Sequence, residues 1–146
     1  MPSFTKLPIL VPWDFSEMSK DALEKAVEIA DSPTQIEVVI VTPYPSAVEP
    51  SVVWGTYSED EITENLSESF RKEIPEDKYP GIKFTSFFGD PGSQIARRAK
   101  EIGAGLIVIS SHGRTGIRRF LMGSVAERVV RLSPCPVLVL RPDDEE

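Results

Sequence analysis

The chain has 146 residues, 40% hydrophobic and 27% charged, with a net charge of −7 and a pI of about 4.8. That length carries one domain with its own core, and the acidic balance excludes a general nucleic-acid binder, which needs a basic footprint. One cysteine, Cys135, excludes an internal disulfide framework and predicts a reducing compartment.

No stretch approaches the about 18 apolar residues of a membrane span. The opening MPSFTKLPILVPWDF lacks the charged start, longer apolar run and small-residue cleavage site of a signal peptide. The expectation is one cytoplasmic domain over 1–146, with no nucleic-acid or membrane partner.

Leu7 to Trp13 is a short apolar run, consistent with a strand buried on both faces, with Pro12 near its end. Ser16 caps a helix over Glu17 to Ala30, whose apolar face is Ala22, Leu23, Ala26, Val27 and Ala30. Asp31-Ser32-Pro33 stops it. Ile36 to Val41 is the second strand, and Thr42-Pro43-Tyr44-Pro45 ends it. An irregular stretch follows to about Tyr57.

Ser58 to about Ile74 reads as a second, solvated helix, acid-rich early and basic late, as the helix dipole favours. Ile82 to Phe88 is the third strand. Asp90-Pro91 is an N-cap with Pro at the first helical position. The third helix runs to Ile102, with Ile95, Ala99 and Ile102 inward, and Gly103 closes it. Leu106 to Ser110 is strand four, Gly123 to Leu132 helix four and Val137 to Leu140 strand five. The tail from Arg141 to Glu146 is acidic.

Strands alternating with helices predict an α/β fold with a doubly wound parallel sheet and helices on both faces. Such sheets bind ligands outside the carboxyl ends of their strands, where the order reverses. With an order of 3-2-1-4-5, Asp14 would face the loop that starts at Ser110.

That loop carries the candidate chemistry. A strand, a glycine-rich loop and a helix start can hold a phosphate on bare backbone N–H groups. Gly123 would let a phosphate approach the N–H groups of Ser124 and Val125. Ser124 with Glu127 also reads as a capping box, S-x-x-E. Gly113 and Gly116 bracket Arg114 and Thr115. From His112 to Arg131 five arginines (114, 118, 119, 128, 131) stand against one acid, Glu127. This positive field inside an acidic chain suits phosphate.

Asp14 is either a turn residue or a carboxylate facing a ribose hydroxyl or Mg²⁺. His112, the single histidine, is expected to bond backbone, and Cys135 between two prolines reads as structural. The G-x-x-x-x-G-K-[ST], G-x-G-x-x-G and G-x-S-x-G motifs are all absent, so the sequence offers a place to hold phosphates without evident machinery to cleave them.

The segments ILVPWDFSE, SSHGRTGIRRFLMGSVAERV and SPCPVLVLR together resemble the universal stress protein family over essentially the whole chain. The resemblance implies a Rossmann-like, five-stranded parallel sheet of order 3-2-1-4-5. ATP-binding members of that family carry G-x-x-G, nine residues, then G-[ST]. Here Gly113 is followed by nine residues and then Gly123-Ser124.

By resemblance Gly113, Gly123, Ser124 and Val125 hold the phosphates of ATP, or of AMP or ADP, and Gly116 lies outside the motif. Ser110 stands at the first glycine position. It would cost about 1–2 kcal/mol if that backbone were left-handed and little in ordinary geometry.

The nucleoside would lie against Pro12, Trp13, Asp14, Thr42 and Pro43, with Asp14 a possible Mg²⁺ ligand. Pro43 offers no N–H to adenine. Trp13 would either stack on a base or fill the crevice. The family pairing implies a homodimer through the strand Val137 to Leu140. The readings to be weighed are a dimeric nucleotide-binding sensor with an unknown protein partner, an interaction module with an empty pocket, and a weak hydrolase.

Overall fold

The computed structural model describes residues 6–112 and 122–141. The expectations for Gly113, Arg114, Thr115, Gly116, Arg118, Arg119 and the end of the acidic tail fall outside those residues. Five strands, β1 (Ile9–Pro12), β2 (Ile36–Thr42), β3 (Lys83–Phe88), β4 (Leu106–Ser110) and β5 (Val137–Leu140), form one sheet in the order β3-β2-β1-β4-β5. Every pairing is parallel. This is the order expected from the sequence.

The helices are α1 (Glu17–Ile29), a short α2 (Pro50–Val53), α3 (Glu59–Glu73), α4 (Pro91–Ile102) and α5 (Ser124–Leu132). Side chains alternate across the sheet, as the two-residue period of a strand requires. Ile9, Val11, Val38 and Val108 pack with Ala22, Leu23 and Ala26 of α1 and Phe70 of α3. Leu10, Val39, Ile107 and Ile109 pack with Ile95 and Ala99 of α4 and Ala126 and Val129 of α5. Covered on both faces, the central strands have no polar side to show, which is why LPILVPW reads as an unbroken apolar run.

The caps follow the sequence signals. Ser16, Ser58 and Asp90 each accept from a first-turn backbone N–H of α1, α3 and α4, and Gly103 ends α4 with a left-handed φ of 66°. Differences lie at element ends and in the second connection. β1 is shorter than expected at both ends, and Pro12 is its last residue. A 3-10 turn over Pro33–Gln35, held by a capping box at Ser32 and Gln35, precedes β2. The stretch read as irregular contains α2, which starts at Pro50, the residue that fits the first turn of a helix.

One charged residue lies inside the sheet. Glu37 of β2 is 5% exposed. Arg98 of α4 meets its two carboxylate oxygens at 2.6 and 3.1 Å, and the Thr85 hydroxyl donates to it at 2.8 Å. This bidentate pair fixes α4 against β2 and β3.

Candidate functional site

Strand order reverses between β1 and β4, and a cleft of about 310 Å³ opens there beyond the strand ends. Pro12, Trp13 and Asp14 line it after β1, Ser110, Ser111 and His112 after β4, and Gly123 to Ala126 at the start of α5. Val39, Val41, Ile95 and Ile109 supply apolar walls. The volume falls at the lower end of the range of small-molecule pockets.

The structure therefore brings together Pro12, Trp13, Asp14, Ser110, Gly123, Ser124 and Val125, residues up to 113 positions apart in sequence. Thr42 and Pro43 are not among the lining residues. Thr42 closes β2 opposite Phe88, its carbonyl accepts from the Gly89 N–H, and Pro43 is exposed beyond it. Val39 and Val41 face the cleft in their place. The sequence signal for them was the sheet period itself: they are the last residues of β2 that share a face with Leu10 and Ile107.

The start of α5 differs from the capping box expected at Ser124. Gly123 is the N-cap, Ser124 is the first helical residue, and among the described residues no side chain caps this end. Glu127 turns towards Arg131 instead, at 3.9 Å. The Gly123 N–H donates to Ser111 O at 2.6 Å, and the first helical bond is Glu127 N–H to Gly123 O at 3.0 Å. The N–H groups of Ser124, Val125 and Ala126 precede that bond, so the helix does not consume them. Their residues line the cleft, at the positive end of the helix dipole.

Glycine at 123 has a local cause. A Cβ there would sit 3.1 Å from Ser111 O and 3.6 Å from His112 Cα. Ser110 has ordinary backbone geometry, since Phe15 is the one non-glycine residue with positive φ among the described residues. The serine thus carries no left-handed strain, and its hydroxyl donates to His112 O at 2.8 Å.

Asp14 is part of a turn and part of the cleft at once. Its Oδ1 accepts from the Ser16 N–H at 3.0 Å and the Ser16 hydroxyl at 2.6 Å, so it orients the N-cap of α1. Trp13 goes into the core: it is 3% exposed and meets Phe70 and Phe15 edge-on at 5.2 and 5.9 Å. It forms a floor of the cleft and leaves the space above it open.

His112 is buried. Its Nδ1 pairs with the Ser111 hydroxyl at 3.0 Å, a side-chain partner where backbone was expected, and its Nε2 has no partner among the described residues. Two of the five clustered arginines are already engaged: Arg128 holds Asp90 at 2.8 Å and Arg131 holds Glu127. Cys135 packs beside the α4–α5 core and its N–H donates to the Ser133 hydroxyl, which agrees with a structural role.

The model of the universal stress protein family matches residues 7–141. The chain belongs to that family. Universal stress protein YxiE of Bacillus subtilis is 30% identical, over 91% of this chain and 97% of its own. The solved structure of hypothetical protein MJ0577 superposes with a TM-score of 0.74 at 29% identity, covering 97% of this chain and 99% of that one. A universal stress protein solved in complex with cAMP shares the fold, with a TM-score of 0.56 at 23% identity, covering 92% and 95%.

Proposed function

We propose that this universal stress protein binds an adenine nucleotide, ATP or its ADP or AMP counterparts, in the β1–β4 cleft. In this reading it acts as a homodimeric stress-response sensor in the cytoplasm. The carrying observation is the uncapped first turn of α5. Ser16, Ser58 and Asp90 satisfy the starts of α1, α3 and α4, whereas the start of α5 has no side-chain cap among the described residues and its first-turn residues line the cleft. A phosphate supplies the acceptors that such a turn lacks.

In this reading the N–H groups of Ser124 and Val125, joined by that of Ala126, take the phosphates. Gly113 and Ser110 belong to the same phosphate end through the sequence motif. Asp14 is the one acid among the described lining residues, and it accepts from a ribose hydroxyl or ligates a Mg²⁺ that accompanies the phosphates. The base lies between the apolar walls of Val39, Val41 and Ile109 over Trp13, with Thr42 and Pro43 at the rim. That a relative of this fold has been solved with cAMP is in keeping with an adenine nucleotide as the ligand class.

The test is direct. Denatured, purified protein should release nucleotide detectable by chromatography, and nucleotide-free protein should bind ATP in a calorimetric titration. No retained nucleotide and no heat at millimolar ATP would favour the rival reading, an interaction module with an empty pocket.

A further inference from the structure

The connection from β2 to α3 carries an exposed apolar surface that the nucleotide cleft does not use. Trp54 is 78% exposed, Val48 80%, and Val53 and Tyr44 63% each. These are large apolar groups on a segment with its own internal hydrogen bonds. Val52 and Val53 N–H groups reach Glu49 O, Trp54 reaches Pro50 O, and Thr56 and Tyr57 both reach Ser51 O. The Tyr44 ring stacks on Phe88 at 6.2 Å and Tyr57 meets the same ring edge-on, so both ends of the segment are pinned to β3. The apolar groups are presented on an ordered knob at the carboxyl edge of the sheet.

The charge along this stretch of chain is one-sided, and the two cations that line a cleft with Tyr44, Glu59 and Asp60, Arg97 and Arg98 of α4, are paired with Glu101 and Glu37. From Thr42 to Phe70 there are six acids and no lysine, arginine or histidine. Glu59, Asp60, Glu61, Glu64 and Glu68 are exposed along α3, which starts directly after the knob, and Glu49 lies within it. None of the six has an ion pair among the described residues, although acids elsewhere do: Glu37, Glu73, Glu76, Asp90, Glu101 and Glu127 are all paired. An apolar surface followed by exposed acids that no ion pair among the described residues satisfies calls for a partner of the opposite sign.

We infer that the β2–α3 knob, centred on Trp54 and Val53 and rimmed by the α3 acids, docks a basic amphipathic segment of another protein. Trp54 is the anchor, since an exposed indole is the residue type that carries most energy at interface centres. The acids set register and raise the association rate. An anionic membrane surface does not fit, because the rim repels it.

The probe is a fluorescein-labelled helical peptide built from Lys and Leu, compared with a Glu/Leu peptide of the same pattern and with phosphatidylserine vesicles. The Lys/Leu peptide should bind the intact protein in a salt-sensitive manner, and the Glu/Leu peptide and the vesicles should not. Trp54→Ser and the triple Glu59→Lys/Asp60→Lys/Glu61→Lys should each weaken binding about tenfold or more, a loss of about 1.4 kcal/mol. The triple Asp21→Lys/Glu24→Lys/Glu28→Lys on α1, which makes the same charge change outside the knob, should not.

Equal loss in the α1 control, or no loss in Trp54→Ser, would overturn the docking surface. So would vesicle binding, or a fall in sedimenting mass on Trp54→Ser, which would make a second copy the occupant. Far-UV circular dichroism checks that each variant is folded. Nucleotide affinity should be unchanged in all of them, so failure here is separable from failure of the nucleotide reading.

Discussion

The backbone N–H of Gly123 donates to the carbonyl oxygen of Ser111 across 2.6 Å. This bond clips the start of α5 to the residue after β4, and the next three N–H groups, on residues that line the cleft, precede the first helical bond. Valine at 123 would place a Cβ 3.1 Å from the same carbonyl and would be a poor N-cap. Gly123→Val should therefore open the clip and lower ATP affinity about tenfold or more, about 1.4 kcal/mol, while the sheet still folds cooperatively. Calorimetric titration with circular dichroism as the folding check decides it. Unchanged affinity would remove the α5 turn from the phosphate site.

A second prediction concerns stability. Arg98 is the bidentate partner of buried Glu37. Removing one member of such a pair strands the other charge, at a cost of about 3–5 kcal/mol for a fully buried pair. The Arg98 side chain is 26% exposed, which places Arg98→Met near the lower end. Glu37→Gln combined with Arg98→Met should recover most of that loss, because no charge is left buried. Urea denaturation of the three variants measures it, and equal instability of the single and double variants would contradict the stranded-charge account.

These two sites differ in how far sequence discloses them. The elements and several caps were legible because each rests on a local signal: Ser or Asp before a periodic helix, Gly after it, unbroken apolar runs for doubly covered strands; the strand order came from the sheet class and the family resemblance, since no local signal carries it. The Glu37–Arg98 pair was not, since its members are 61 residues apart and IEVVIV gives no sign of what its acid meets. At Ser124 a local motif gave the wrong cap. S-x-x-E is satisfied by a capping box only when the serine precedes the helix, and here Gly123, held by its bond to Ser111, is the N-cap, so the helix starts one residue earlier, at Ser124 itself. The lining at the end of β2 was also hard to read from sequence. The end of β2 lines the cleft through Val39 and Val41, while Thr42, on the alternate face of the strand, and Pro43 beyond it do not line it.

A third prediction follows from the α4 cap. Asp90 accepts from the Ser93 N–H at 2.9 Å and from Arg128 at 2.8 Å, and so links α4 to α5. Its bonds with Ser93, then the Arg128 guanidinium, hold its carboxyl below the ordinary value of 3.8. A carboxyl lowered in the folded state adds stability that is complete above the ordinary value and is lost as pH falls through the lower folded one. Asp90→Ala should thus unfold at a lower temperature than the parent at neutral pH. The gap should close only on acidification below pH 3.8. Thermal unfolding of both proteins from neutral pH down to about pH 2 tests this, and a gap that closes well above 3.8 would assign the effect to another group.

The last prediction addresses the dimer. β5 pairs with β4 on one side and is the sheet edge on the other. Pro136 O accepts from Ile107 N–H and Leu140 O from Ser111 N–H, so the even-numbered positions of β5 point towards β4. In a parallel ladder successive residues point their backbone groups to opposite sides, so the N–H groups of Val137 and Val139 point outward. A second copy can add to that edge through them. Val139→Pro deletes an outward donor while leaving the bonds to β4 in place, an edge-strand setting in which proline is tolerated. If the chain dimerises through this edge, the variant should sediment as a monomer with its far-UV spectrum unchanged. A variant that keeps the parent's dimeric mass would move the interface away from β5, and a parent that is itself monomeric would remove the dimer from the proposed sensor.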